Sequence, residues 1–169
     1  LFDAEVVLAQ RREAAPLTRE RTACEPDGLD AALDVVRDRV SHVRLDTAKP
    51  DTRGRFVFKS LAPGAYVVWA ETPTHRSAAY PVEVKYVHAE LGLVAVTPRR
   101  ALEVKVTNTL DETGRGLEAI LYDASGRLAA AKTNADGKVV FPDAPLTGLG
   151  LAVHGERVFP TRFDLADGL

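Results

Sequence analysis

Asp51-Thr52-Arg53-Gly54-Arg55-Phe56-Val57-Phe58-Lys59-Ser60-Leu61-Ala62-Pro63-Gly64-Ala65-Tyr66-Val67-Val68-Trp69-Ala70 reads as a polar turn, a strand, a Pro-Gly corner and a second strand. Phe56 and Phe58 alternate with Arg55, Val57 and Lys59, the two-residue period of a strand with one buried face. Tyr66, Val68 and Ala70 resume that alternation after Pro63-Gly64, a pair that redirects the chain. The same order of elements returns later. Asn134-Ala135-Asp136-Gly137-Lys138-Val139-Val140-Phe141 is again a polar turn and a short alternating strand, followed by the alternation of Leu149, Leu151 and Val153. A supersecondary unit repeated with its parts in the same order indicates tandem domains.

The stretch from Thr52 to Val68 resembles the signature of carboxypeptidase regulatory-like domains, which are prealbumin-like (transthyretin-like) β-sandwiches related to collagen-adhesin B-type repeats. Thr133 to Phe141 is similar, with Pro145-Leu146-Thr147-Gly148-Leu149 standing where the first copy has its Pro-Gly-x-Tyr corner. The resemblance covers both halves but leaves out residues from about 10 to 42. It implies a small sandwich used as a spacer or binding module in secreted and envelope proteins, hence an extracytoplasmic location (periplasm, outer surface or secreted), and it implies no chemistry. B-type repeats often carry an internal Lys–Asn or Lys–Asp isopeptide bond assisted by Glu. Lys105 takes a comparable first-strand position, but Val153-His154 stands where the Glu belongs and Glu71 is one residue out of phase, so the bond is not expected. Transthyretin-like intradiol dioxygenases hold iron with Tyr and His. Tyr80, Tyr86 and His88 match in residue type only, because the second His-x-His element has no counterpart.

Composition narrows the function classes. A hydrophobic fraction of 46% and a charged fraction of 27% over 169 residues suit one large or two small globular domains. A net charge of −2 supplies no basic field for nucleic acid. No apolar run approaches the roughly 18 residues needed to cross a bilayer, and no stretch reads as a signal peptide. Met is absent and the first residue is Leu1, which reads as a processed or partial chain. Cys24 is the single cysteine, so no internal disulfide forms; it reads as a small, partly buried side chain, with a bond to another chain as the alternative.

Along the chain, Leu1 to Ala9 reads as a strand and Gln10 to Pro26 as a polar excursion. Asp27 then suits a helix N-cap, and Leu29, Ala32, Leu33, Val36 and Val40 form one apolar stripe, with Val35 off it. The helix is expected over residues 27–40, covering a sandwich face or end or else binding a partner. Strands follow from His42 to Thr47, Tyr80 to Tyr86 and Leu91 to Val96. After a short boundary at Thr97-Pro98-Arg99-Arg100, further strands run from Leu102 to Val106, Leu117 to Leu121, Arg127 to Thr133 and Val158 to Leu165. Ala4-Glu5-Val6-Val7-Leu8 matches Leu117-Glu118-Ala119-Ile120-Leu121, which places Leu1 after the point where a first strand belongs. The fold expected is therefore all-β: two tandem antiparallel Ig-like or prealbumin-like β-sandwiches. Residues 1–98 carry an inserted α-helix within about 10–42 and lack their first strand, and residues 99–169 form the second sandwich.

No catalytic residues, cofactor or metal are expected. The Asp-x-x-Gly-type turns at Asp51, Asp111, Asp123 and Asn134 offer one or two carboxylates each, fewer than calcium requires, and Asp and Gly serve such turns through the backbone. His42, His75, His88 and His154 form no pair at metal-ligand spacing. The interface candidates are Val67 and Trp69, which alternation sends outward from the Tyr66, Val68 and Ala70 face, and Leu29, Leu33 and Val36 on the helix. An inserted helix covering Trp69 is the alternative to recognition there. The function expected is a non-catalytic structural or adhesive module of a larger secreted or envelope assembly, contacting other subunits or the rest of a larger polypeptide. The alternative is a carbohydrate-binding accessory domain of a secreted enzyme, which rows of exposed aromatics would favour.

Overall fold

The computed structural model describes residues 3–11, 29–37, 42–85, 89–107, 113–156 and 158–165. They form twelve strands and one helix: β1 (Glu5–Arg11), α1 (Leu29–Val36), β2 (His42–Ala48), β3 (Gly64–Glu71), β4 (His75–Ser77), β5 (Tyr80–Val84), β6 (Val96–Pro98), β7 (Arg100–Lys105), β8 (Glu118–Asp123), β9 (Gly126–Lys132), β10 (Lys138–Ala144), β11 (Gly150–Gly155) and β12 (Val158–Asp164). The molecule is nearly all-β, with antiparallel sheets packed face to face. In the N-terminal half a six-stranded sheet runs β2-β1-β3-β4-β6, with β5 also paired to β3. In the C-terminal half a four-stranded sheet runs β12-β11-β8-β9, and β10 pairs with β7 as a second sheet.

The two four-stranded ladders, β2-β1-β3-β5 and β9-β8-β11-β12, share their connectivity and their register. Val6 pairs with Ala48 and Ala70, and Ala119 with Ala131 and Val153. Both ladders slip register at the same place, after Leu8 against β2 and after Leu121 against β9. The turns match atom for atom. The Asp51 and Asn134 side chains each accept from two backbone N–H groups, those of Arg53 and Arg55 in one turn and of Asp136 and Lys138 in the other. Gly54 and Gly137 take the same left-handed conformation, φ 76 and 73. An oxygen-bearing side chain that bonds its own backbone, followed by a glycine free to adopt positive φ, specifies this turn in both halves.

Strand alternation sets the cores. Ala119, Leu121, Leu151 and Val153 point to one face with Val139 and Phe141 opposite, closed by Leu102 and Val104 from β7. Val6, Leu8, Tyr66, Val68 and Ala70 form the corresponding face of the N-terminal half, against Phe56, Phe58, Leu61 and Leu91. The opposite faces are apolar too: Val7, Ala9, Val67 and Trp69 cluster on one, Ile120, Tyr122 and Ala152 on the other.

Three sequence expectations need correcting. Phe56 to Phe58 form no strand, and Leu91 to Ala95 form none either; only Val96–Pro98 does. An extended, alternating segment becomes a strand only when a neighbour pairs its backbone, and among the described residues none does so here. The strand at His75–Ser77 is unexpected. It arises because the counterpart of β12 is broken in two, and the buried Ser77 hydroxyl accepts from the Ala70 N–H at the break (2.9 Å). The short Thr97–Arg100 boundary is itself tied down: β6 pairs with β4, and the Arg99 N–H donates to Thr74 O (2.9 Å). Val35, expected off the helical stripe, is buried against Ile120, Tyr122 and Ala152. The helix turns Ala32, Val35 and Val36 inward because it packs on a sheet face of the C-terminal half. Eight residues would not hold a helix in water, so this docking stabilises it. Residues 27, 28 and 38–40 lie outside the described residues.

Candidate functional site

The N-terminal half carries an open apolar groove of about 740 Å³, lined by Leu8, Phe56, Phe58, Tyr66, Val68 and Leu91 among others. Its floor is the inward face of β1 and β3, and one wall is the extended segment 55–59. The turn at Asp51–Gly54 starts that segment. Ser60, the one non-glycine residue of positive φ among the described residues (φ 59), ends it and turns the chain towards Pro63-Gly64. The Tyr66 hydroxyl donates to Ala62 O (2.7 Å) and holds the returning corner against β3. Phe56 and Phe58 meet edge to face, 6.0 Å between centroids, and point into the groove, while Val57 faces solvent with 70% of its surface exposed.

The corresponding place in the C-terminal half is filled. β7 runs antiparallel to β10, pairing Val104 with Val139 and Leu102 with Phe141. The end of β7 is tied to the turn, since Val106 N–H donates to Gly137 O and Gly114 N–H to Val106 O (2.9 Å each). Lys138 reaches Glu103 of β7 at 2.7 Å, and that hydrogen bond holds the ammonium pKa above its ordinary 10.5. A Cβ placed on Gly137 would stand 2.6 Å from Val106 O, whereas a Cβ on Gly54 would meet nothing within 4 Å. Two identical turns therefore open onto different surroundings, one onto a strand and the other onto empty space.

A second cluster joins the halves. The break after Ser77 sets Arg76 on β4, beside the turn between β8 and β9. Its guanidinium donates to Asp123 Oδ2 (3.0 Å) and Ser125 Oγ (2.8 Å), with the Arg76 and Asp123 side chains 9% and 1% exposed. Glu71 collects Arg44, Arg76 and Arg99 around one carboxylate, and His42 Nδ1 lies 2.9 Å from Ser125 O. Glu5 also reaches Arg44 (3.8 Å), so three carboxylates face three guanidiniums within the chain. The arrangement fixes the junction and offers no unpaired nucleophile or base.

The sequence-derived interface candidates divide between these surroundings. Trp69 and Val67 lie on the outward face of β3, as alternation requires, yet Trp69 is only 8% exposed and the Arg76 guanidinium stands 5.1 Å from its ring centroid. The helix does not supply that cover; α1 packs on β8, β11 and β12 of the other half. Val36 packs in the helix–sheet cluster, Leu33 is partly buried, and the Leu29 side chain lies outside the described residues. Cys24, Tyr86 and His88 also lie outside them. Among the described residues no three His, Cys, Asp or Glu side chains converge as metal ligands, and no helix is long and apolar enough to cross a membrane. The sequence reading reached the groove only indirectly, through the first strand expected ahead of Ala4–Leu8.

No protein-family model matches the chain, and no curated protein matches it. Among solved structures it is similar to native alpha-2-macroglobulin from Escherichia coli spanning domains MG0-NIE-MG1, with 15% identity and a TM-score of 0.37. The match covers 96% of this chain and 55% of that one, so the chain spans about half the length of the structure it matches.

Proposed function

We propose that the chain is a non-catalytic assembly module made of two tandem β-sandwich units, residues 1–98 and 99–169, which contacts protein through the groove of the first unit. The repeated ladders, bulges and turns support the tandem division. The observation that carries the functional reading is the groove itself: apolar side chains beside an extended backbone with no partner among the described residues. Exposed apolar surface next to unpaired N–H and C=O groups suits a polypeptide better than a small polar ligand. The module acts by holding its partner against a rigid frame, because the buried Arg76–Asp123 pair and the docked helix join the two units. An extracytoplasmic location accords with the resemblance of the repeated motif to envelope sandwich modules. Carbohydrate binding is the weaker reading: of the exposed large hydrophobic residues described, Phe163 alone is aromatic.

Cross-linking of the intact assembly tests this reading. A photoreactive residue at position 57 should capture a polypeptide segment from outside residues 42–107. Failure of position 57 to cross-link to any such segment in the assembly, or binding of the purified chain to a glycan array, would overturn it.

A further inference from the structure

We infer that the groove receives a β-strand of the same polypeptide, lying covalently ahead of β1, antiparallel to Arg55–Lys59. Its large apolar residues alternate, one opposite Phe56 and one opposite Phe58, with a polar residue between them opposite Val57. The inference rests on the proposed function and names the occupant of its site.

The C-terminal half supplies the geometry. Transferring the register of β7 on β10 puts a counterpart of Val104 opposite Phe56, a counterpart of Leu102 opposite Phe58, and a counterpart of Glu103 opposite Val57. The transfer is warranted because the frame nearest the vacant place is reproduced: the turn hydrogen bonds, the glycine conformation, the pairing of β1 with its neighbours and its bulge. Lys138 meets Glu103 across the filled edge; Arg55 stands at the equivalent position of the vacant one, its Nε on Asp51 (3.0 Å) and its side chain 70% exposed, so an acidic residue suits the middle position of the occupant.

Chain order identifies the source. β7 directly precedes β8, and β8 corresponds to β1, so the equivalent strand precedes β1. A strand tethered through β1 also acts at a high effective concentration, whereas a strand from a separate molecule loses translational freedom on docking. The groove has space for its side chains: the empty volume lies over Leu8 and Val68, the residues whose counterparts Leu121 and Leu151 pack in the core cluster that takes in Leu102 and Val104.

The experiment compares three forms of the chain by amide hydrogen exchange, thermal melting and light scattering. The first is residues 1–169. The second carries a duplicate of residues 99–113 directly ahead of Leu1, which corresponds to Gly114. The third is that extended form with the duplicated copies of Leu102 and Val104 changed to Asp. Amides of residues 56–59 should exchange freely in the first form. The second should slow them by about tenfold or more and raise the melting temperature. The third should exchange like the first, and its unaltered host sequence keeps the comparison independent of folding defects. Equal exchange in the first two forms overturns the strand-acceptor geometry. Protection in the first form that appears only as dimer accumulates assigns the groove to a second copy and overturns the covalent source. If strand docking fails while position 57 still cross-links to another polypeptide in the assembly, this inference falls and the assembly module stands. If both fail, both fall.

Discussion

The two halves of this molecule share a ladder, a bulge and a turn, and differ, among the described residues, in whether one strand is present. In the C-terminal half Val139 and Phe141 are 4% and 2% exposed; their counterparts Phe56 and Phe58 are only half-buried, although they are the larger pair. Hydrophobicity therefore does not decide which residue becomes core. β7 covers Val139 and Phe141 and pairs their backbone, and among the described residues nothing does this for Phe56 and Phe58. The same segment pattern yields a strand on one side and an unpaired extended segment on the other, because hydrogen-bond partners come from a neighbour.

The largest expected effect tests that asymmetry in the core. Phe141→Ala should cost about 3–5 kcal/mol, the usual range for truncating a buried aromatic. Phe58→Ala should cost clearly less, about half, because part of its surface already meets solvent. Urea melts of both variants check this, and equal costs would mean that the groove is closed in solution. A chain extended by a docking strand should bring the cost at Phe58 up towards that at Phe141.

Next comes the junction that makes one frame of the two halves. Arg76→Met would leave the buried Asp123 carboxylate with Ser125 as its remaining partner, a loss of about 3 kcal/mol by the measure of broken buried pairs. Calorimetry should then show the halves melting less cooperatively. A single unshifted transition would show that the docked helix alone holds the frame.

The matched glycines give a sharper comparison at smaller magnitude. Both occupy the left-handed region, so replacing either by Ala costs about 1–2 kcal/mol in backbone strain. Gly137→Ala should add a further ~1–3 kcal/mol, because its Cβ would press on Val106 O at 2.6 Å. Gly54→Ala has only open space before it, so the difference between the two variants reports the presence of the neighbouring strand. In a chain with the groove filled, the two substitutions should converge.

The smallest effect separates the turns by pH. Backbone N–H donation, chiefly from Arg55, holds the Asp51 carboxyl below its ordinary 3.8. A depressed carboxyl stabilises the folded state above that ordinary value, and the contribution disappears as pH falls through the lower folded value. Asn134 accepts the same hydrogen bonds without titrating. Amide exchange in the Asp51–Arg55 turn should therefore accelerate below pH 3.8 while the Asn134–Lys138 turn holds. Asp51→Asn should remove the difference, and parallel acid responses of the wild-type turns would refute the assignment.

Much of the fold was legible in the residues. The alternation in β1, β3, β8 and β11, the Asp/Asn-x-x-Gly turns and the Pro63-Gly64 corner are local signals, and local backbone preference acts within a few residues. The placement of the helix was partly legible: its segment could be read, but not the face it covers. Val35 was missed because a stripe drawn from sequence weighs each apolar residue by angle alone, while docking on Ile120, Tyr122 and Ala152 selects the angle. The short strand at His75–Ser77 was missed because a three-residue segment with one apolar neighbour carries no period.

The sequence by itself determined the strand periods, the two matching turns and their order, because these depend on φ preferences, side chain-to-backbone bonds and two-residue alternation. Tertiary structure decided the rest. It buried Trp69 under Arg76, although alternation alone sends that side chain outward, because burial depends on what stands above a face. It brought Arg76 to Asp123 across 47 positions of chain, a contact no local pattern encodes. It also set Phe56 and Phe58 at the wall of an open groove rather than in a closed core, since closure requires a strand whose position is fixed by pairing at a distance.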